Sequence, residues 1–426
     1  MGAKLVNITN GVDGVFIENS RFNTTIISFN CYLPIKKSDI ASNALLPYIL
    51  TSCSEEYEDF TLLNRRFNML YGADLEVSVD KTGDTQHIKF SVSVINDRFA
   101  FDGSSIVLDA TDLILSLIFK PRLNGKSFYD EDINREKRKM VENILGEINE
   151  KRLYAKNRII AEMYKGLPYG ISKYGELEDV EKLDGSDLYS AWQRLLLNSY
   201  IRVQVIGDVL PKDFFDTVSQ RFADIPRNPY TDYKAFSTLE PSDTVHYVTD
   251  KMNVSQGKLV LGFTSETNGV NCYKFNVMTD IFGGGPYSKL FENVREKMSL
   301  CYYCSASPAV TKGHLMVESG VEFDNMERAE KEILNQLIAV QNGDFDDATF
   351  EASIKSICGS LKSCNDSLGS LDSWYATRIF TDELVSPDDA IEEISKITKQ
   401  QVIDTARGIK LHTVYKLIGE GSARDE

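Results

Sequence analysis

Two stretches of this 426-residue chain can be laid over each other. LIFKPRLNGKSFYDEDINREKRKMVENILGEINEKRLYAKNRI begins at Leu117, and LIAVQNGDFDDATFEASIKSICGSLKSCNDSLGSLDSWYATRI begins at Leu337. In both, an amphipathic helix ends at Asn-Gly (Gly125, Gly343), another helix follows, and a Tyr-Ala pair with an arginine soon after (Tyr154 to Arg158, Tyr375 to Arg378) opens a further apolar turn. A repeat of this length makes the chain two copies of one structural unit, so the fold need be solved only once.

The flanking segments keep the same order. Each half opens on a β-rich run, TTIISFNCYL or KLVLGFTS, and each closes on a strand-like run, IRVQVIGD near Gly207 or HTVYKLIGE near Gly419, preceded by a polar helix. HIKFSVSVI alternates apolar with polar residues, which predicts a sheet with one covered face. The expected fold is α+β: two homologous α/β-sandwich domains, each an antiparallel-rich sheet covered by helices, related by internal duplication. The proline-rich, aliphatic-poor stretch from Ile225 to Asp243 reads as the linker. It divides the chain into an N-terminal domain over 1–225, a linker over 226–243 and a C-terminal domain over 244–426, about 200 residues each.

Charge and residue usage exclude several functions. Lys and Arg total 47 against 63 Asp and Glu, a net charge of −16 that repels phosphate backbones and anionic lipid heads, so no nucleic-acid partner is expected. The longest apolar run, LILSLIF over Leu113–Phe119, is far short of the about 20 residues of a membrane span, and MGAKLVNITNGVDGVF has no signal-peptide pattern. A cytoplasmic protein without a membrane partner is expected. The seven cysteines are an odd number scattered through a chain that needs no staples, so reduced thiols are expected. Cys301 and Cys304 form a C-x-x-C, but no second pair and no nearby histidine completes a zinc site. The four histidines, His87, His246, His314 and His412, are too far apart to form a paired-histidine metal motif.

DIFGGGPYSKLFENVREKMSLCYYCSAS, from Asp280 to Ser307, is the most distinctive segment. Gly283, Gly284 and Gly285 allow close backbone approach and positive φ, and Pro286 then starts a helix that Ser288 can help to cap. The glycine spacing is neither a dinucleotide fingerprint nor a P-loop, so a phosphate site is not expected. Arg295 ends the helix and Tyr302 lies in the strand that follows.

With the duplicated halves, GGGPYSKLFENVREKMSLCYY resembles the second-domain signature of the insulinase/pitrilysin-type zinc metallopeptidases, in the branch of mitochondrial processing peptidase and its bacterial relatives. The segment from Pro168 to Val209 and the C-terminal SPDDAIEEISKITKQQVIDTA are similar to that family too. The resemblance implies that an H-x-x-E-H helix should stand at DIASNALLPYILTS, where two histidines and a later glutamate would hold zinc and the motif's glutamate would activate water. Ala44, Pro47 and Tyr48 occupy the three motif positions, and no H-x-x-E-H exists anywhere in the chain. The later ligand falls near Glu142 or Asn143. No metal and no cofactor are therefore expected in this chain, and the resemblance implies zinc only in a partner subunit.

What the resemblance leaves is the second domain's contribution. In the relatives an arginine and a tyrosine face the zinc site across a closed chamber, and here they are Arg295 and Tyr302, a guanidinium and a phenol able to donate to substrate carbonyls or to a developing oxyanion. Read without it, Arg295 is a salt-bridged surface residue and Tyr302 a half-buried strand tyrosine. Tyr303 should point to the opposite face of its strand. The expected function is the zinc-lacking, non-catalytic subunit of a heterodimeric peptidase, half of a clamshell chamber. It would bind extended peptide past Gly283, Gly284 and Gly285 and complete the active site of a partner carrying H-x-x-E-H. The alternative is a structural or peptide-binding scaffold with no part in catalysis. In isolation such a chain could pair with itself.

Overall fold

The structure, a computed structural model, describes residues 4–234, 237–266, 272–381 and 384–420. The first sheet has six strands: β1 (Lys4–Thr9), β2 (Val12–Glu18), β3 (Thr24–Pro34), β4 (Asp74–Thr82), β5 (Thr85–Ile95) and β6 (Tyr200–Gly207), in the order β1-β2-β6-β3-β5-β4. The second has five: β7 (His246–Met252), β8 (Gly257–Ser265), β9 (Cys301–Ala309), β10 (His314–Val321) and β11 (Ile409–Gly419), in the order β7-β11-β8-β10-β9. Apart from the added β1, the two sheets trace the same path. Each is antiparallel except for one parallel pair, β2 with β6 and β7 with β11. The duplication legible in the helices thus extends to every strand pairing but that of β1 with β2, and the α+β sandwich with helix-covered sheets is the fold of the chain.

The boundaries 1–225, 226–243 and 244–426 separate the strands of the two sheets but not the compact units, which are discontinuous. One unit takes residues 1–145, 171–235 and 365–384, the other 146–170, 236–364 and 385–426. Each half of the sequence therefore gives one helix to the other half's unit. The helix Lys151–Met163 packs on β8 and β11, and Leu368–Ala376 packs on β3 and β6. Both carry the repeated Tyr-Ala, whose alanines, Ala155 and Ala376, are buried and let the helix approach the sheet closely.

This exchange corrects the expectation of a sheet with one covered face. β6 is buried at every position and β3 at all but its ends, the pattern of strands covered on both sides. In the first unit one face packs on Ile40–Leu50 and Ile106–Phe119 through Ile27, Phe29, Ala44, Leu45 and Ile114. The other face meets Leu368–Ala376, where Tyr32 donates to the Ala376 carbonyl at 2.7 Å. Polar strand residues there are not solvated: Ser28 Oγ (2.5 Å) and Gln204 Nε2 (2.7 Å) donate to the Asp372 carboxylate, which also pairs with Lys89.

Candidate functional site

The helix that should carry a metal motif is Ile40–Leu50, apolar nearly all round and buried. Ala44 is fully buried in the core and Pro47 sits inside the helix. Tyr48 is half-buried, its hydroxyl pushed up to about 12, first by burial and then by neighbouring Tyr174. None of the three side chains offers an imidazole or carboxylate, and among the described residues no group of three His, Cys, Asp or Glu is arranged to hold a metal. The residues present do not fit zinc.

A cavity of about 840 Å³ nevertheless opens beside this helix, lined by Tyr48, Ser52 and Cys53 on one side and by Asp132, Arg135 and Glu136 on another. The carboxylates come from the helix Asp130–Asn149, the one that the later-ligand position was expected on, but not from the expected residue. Glu142 and Asn143 are exposed, whereas Asp132 and Glu136 are 2 % and 5 % exposed. Six residues turn Glu142 roughly 240° around the helix from Glu136 and away from the cleft, whereas Asn143, seven residues on, returns to the same face about two turns further along but is exposed and carries no carboxylate. Register on a single helix, which a gapped alignment leaves loose, decides this. Asp132 and Glu136 are held by Arg122, Arg135 and Lys139. Burial pushes the Cys53 thiol up, with the Asp132 carboxylate adding to the shift.

In the other unit the structure brings Arg295 and Tyr302 together. Both line an open cavity of about 460 Å³ with Glu296, Cys301 and Glu322. Arg295 lies on a π-helix, Leu290–Lys297, whose wide winding shows in the bond from the Met298 N–H to the Asn293 carbonyl at 3.1 Å. π-helical winding is rare and is frequent at functional sites. The Arg295 guanidinium stacks 4.6 Å over the Phe291 ring and stands 3.7 Å from Glu296. Tyr302 is exposed on β9, an edge strand. Its hydroxyl donates to Glu322 at 2.6 Å, and that carboxylate raises the phenol, keeping it protonated and a donor.

The alternation expected along β9 is broken by a bulge: Val321 pairs with Cys301 and Gly320 with Tyr303, which leaves Tyr302 as the extra residue. Bulges re-aim a side chain, and here the residue re-aimed is Tyr302. Tyr303 turns to the far face, with Arg152 4.6 Å and Lys258 5.7 Å from its ring centre, so it does not line the cavity. The bulge also puts Cys301 and Cys304 close enough to hydrogen-bond, which holds the Cys301 thiol below its usual range; both are free thiols.

The glycine run supports this site from behind. None of the three glycines has positive φ. Gly283 is needed for close approach: a Cβ there would stand 2.7 Å from the Ala306 backbone nitrogen in β9. At Gly284 and Gly285 a Cβ would meet only the side chain and backbone of Asp280 and the ring of Tyr287. Ser288 Oγ accepts from the Phe291 N–H at 3.4 Å, the capping bond expected of it.

Residues 182–357 match the Peptidase M16 inactive domain. The whole chain is similar to the "Probable inactive metalloprotease YmfF" of Bacillus subtilis (strain 168), 28 % identical over 421 residues and 97 % of each chain. The chain is similar to inactive M16 peptidases. The matched residues include the Gly-rich segment from which the metallopeptidase resemblance was read. A conserved protein from Enterococcus faecalis V583 has the same fold at a TM-score of 0.91, with 23 % identity and 99 % of each chain covered. So does the peptidase M16 inactive domain from Pseudomonas fluorescens, at 0.78 and 15 % identity, covering 100 % of this chain and 99 % of that one. No H-x-x-E-H stands in the sequence, whereas Arg295 and Tyr302 lie within the matched residues 182–357.

Proposed function

We propose that this chain is the zinc-lacking, non-catalytic subunit of a two-chain peptidase, completing the active site of an H-x-x-E-H partner and binding extended peptide. The observation that carries this is the asymmetry between its two units: non-ligating residues at 44, 47 and 48, but an Arg295 and Tyr302 pair set side by side on an open cavity. The partner's metal, when bound, supplies the activated water. This chain supplies the guanidinium of Arg295 and the hydroxyl of Tyr302 as donors to peptide carbonyls and to the oxyanion formed on attack. The edge of β9 offers unpaired backbone groups to an extended peptide, with Gly283 holding that strand close to the body of its unit. No described helix is long and apolar enough to cross a membrane, and a cytoplasmic location is part of the proposal.

The test is to purify the chain alone and with an H-x-x-E-H homologue and to assay cleavage of a peptide library. Cleavage should need both chains, and Arg295→Ala and Tyr302→Phe should lower turnover with partner affinity unchanged. Zinc-dependent cleavage by this chain alone would refute the reading. The Tyr302–Glu322 bond favours a second reading, in which the pair is structural and the chain is a scaffold. Full turnover by a complex containing Arg295→Ala and Tyr302→Phe would establish that one.

A further inference from the structure

The cleft beside Ile40–Leu50 holds two carboxylates that water barely reaches. Asp132 and Glu136 are four residues apart on one helix face, so their charges repel each other as well as resisting burial. Removal of such carboxylates from water is tolerated only where cations and hydrogen bonds compensate. In this chain one side chain meets both. Arg135 places Nη2 3.0 Å from Asp132 Oδ1 and Nε 2.9 Å from Glu136 Oε1.

The same guanidinium reaches across the cleft. Arg135 Nη2 donates to Ser52 Oγ at 2.9 Å, just beyond the end of the helix where the metal motif would lie and one turn past Tyr48. Lys139 stands 3.0 Å from each Glu136 oxygen and Arg122 Nη1 3.4 Å from Asp132 Oδ2, but among the described residues only Arg135 joins both carboxylates to the facing helix end. A planar, permanently charged fork suits this bridging place better than an ammonium.

We propose that Arg135 is the resident cation of this cleft: its guanidinium compensates Asp132 and Glu136 and ties them to Ser52, holding the charge-compensating place that a metal would otherwise take. The metallopeptidase resemblance implies a metal between these helices, and the residues present disagree with it twice, by non-ligating residues at 44, 47 and 48 and by a cation built into the chain.

The experiment is a double-mutant cycle on the full chain, with melting followed by tryptophan fluorescence, since Trp192 and Trp374, the chain's two tryptophans, both lie in the unit that holds the cleft. Arg135→Met should lower Tm by several degrees. Glu136→Gln should recover much of that loss in the Arg135→Met background, yet lower Tm when made alone. If Arg135→Met does not fold, Arg135→Lys, which keeps the charge but not the fork, replaces it and should show the same non-additivity with Glu136→Gln. Wild-type protein incubated with zinc chloride and desalted should retain no stoichiometric zinc by elemental analysis. An unchanged Tm in Arg135→Met, additive Glu136→Gln effects, or stoichiometric zinc retention abolished by Asp132→Asn would overturn the proposal.

Discussion

Asp372 is where removal of one carboxylate should cost most. Its side chain is fully buried beneath the first sheet, accepts from Ser28 and Gln204, and pairs with Lys89, whose side chain is 13 % exposed. In Asp372→Ala, Gln204 keeps its bond to the residue 372 carbonyl at 2.9 Å, whereas the buried Ser28 hydroxyl still accepts from Asn30 at 2.9 Å but loses the acceptor for its own proton. The main cost is the stranded Lys89 ammonium, with the orphaned Ser28 hydroxyl proton adding to it. Breaking a buried pair from one side costs about 3–5 kcal/mol, and the residual exposure of Lys89 places the expectation near the lower bound, about 3 kcal/mol. For a unit of this size that is a Tm drop of roughly 6–12 °C. Urea unfolding monitored by the two tryptophans reports this unit alone. Lys89→Met should recover part of the loss in the Asp372→Ala background, since it removes the unpaired charge. A change below about 1 kcal/mol in Asp372→Ala, or additive effects of the two substitutions, would refute the reasoning.

Gly283→Ala should destabilise the second unit by about 1–3 kcal/mol, because the added Cβ meets the β9 backbone, which cannot swing aside; unchanged thermal melting would show that β9 can shift. Tyr302→Phe removes only an exposed hydrogen bond, so stability should stay within about 0.5 kcal/mol while turnover of a reconstituted complex falls. His87 is stacked on Tyr32 at 4.6 Å and pulled down to about 3, first by burial and then by Lys89, so it is neutral in the fold. Because its folded value lies below the unfolded value of about 6.5, the unfolded chain binds the extra proton, and stability falls as pH drops from 6.5 towards 3, by roughly 1.4 kcal/mol per pH unit. Between pH 7 and pH 5 the loss should be about 2 kcal/mol, and His87→Gln, measured by urea unfolding at each pH, should flatten that slope.

Much of the site was legible because it is local. Arg295 and Tyr302 lie within one helix-to-strand segment, and Gly283 is close enough in sequence to be suspected of supporting it. The bulge at Tyr302 was not legible: alternation along CYYCSAS favours a regular strand, and only pairing with Val321 and Gly320 expels one residue from the ladder. Asp132 and Glu136 were missed for a different reason. In REKRKMVENILGE and the residues before it, many charges repeat at helical spacing, and which of them face inward depends on what packs against the helix. The alternation of paired Arg, Lys, Asp and Glu there was the available signal.

By itself the sequence determined the duplication and the loss of the metal motif. The first is a matter of periodicity and the second of residue chemistry, and neither needs coordinates: four scattered histidines cannot supply H-x-x-E-H in any fold. The tertiary structure alone decided that Lys151–Met163 and Leu368–Ala376 cross to the other half's sheet, and that Arg135 meets two buried carboxylates. Both depend on contacts between residues distant in sequence, or on which helix face turns inward. Those are set by the demand that each sheet cover its second face and each buried charge find its counter-charge, demands met only once the whole chain has packed.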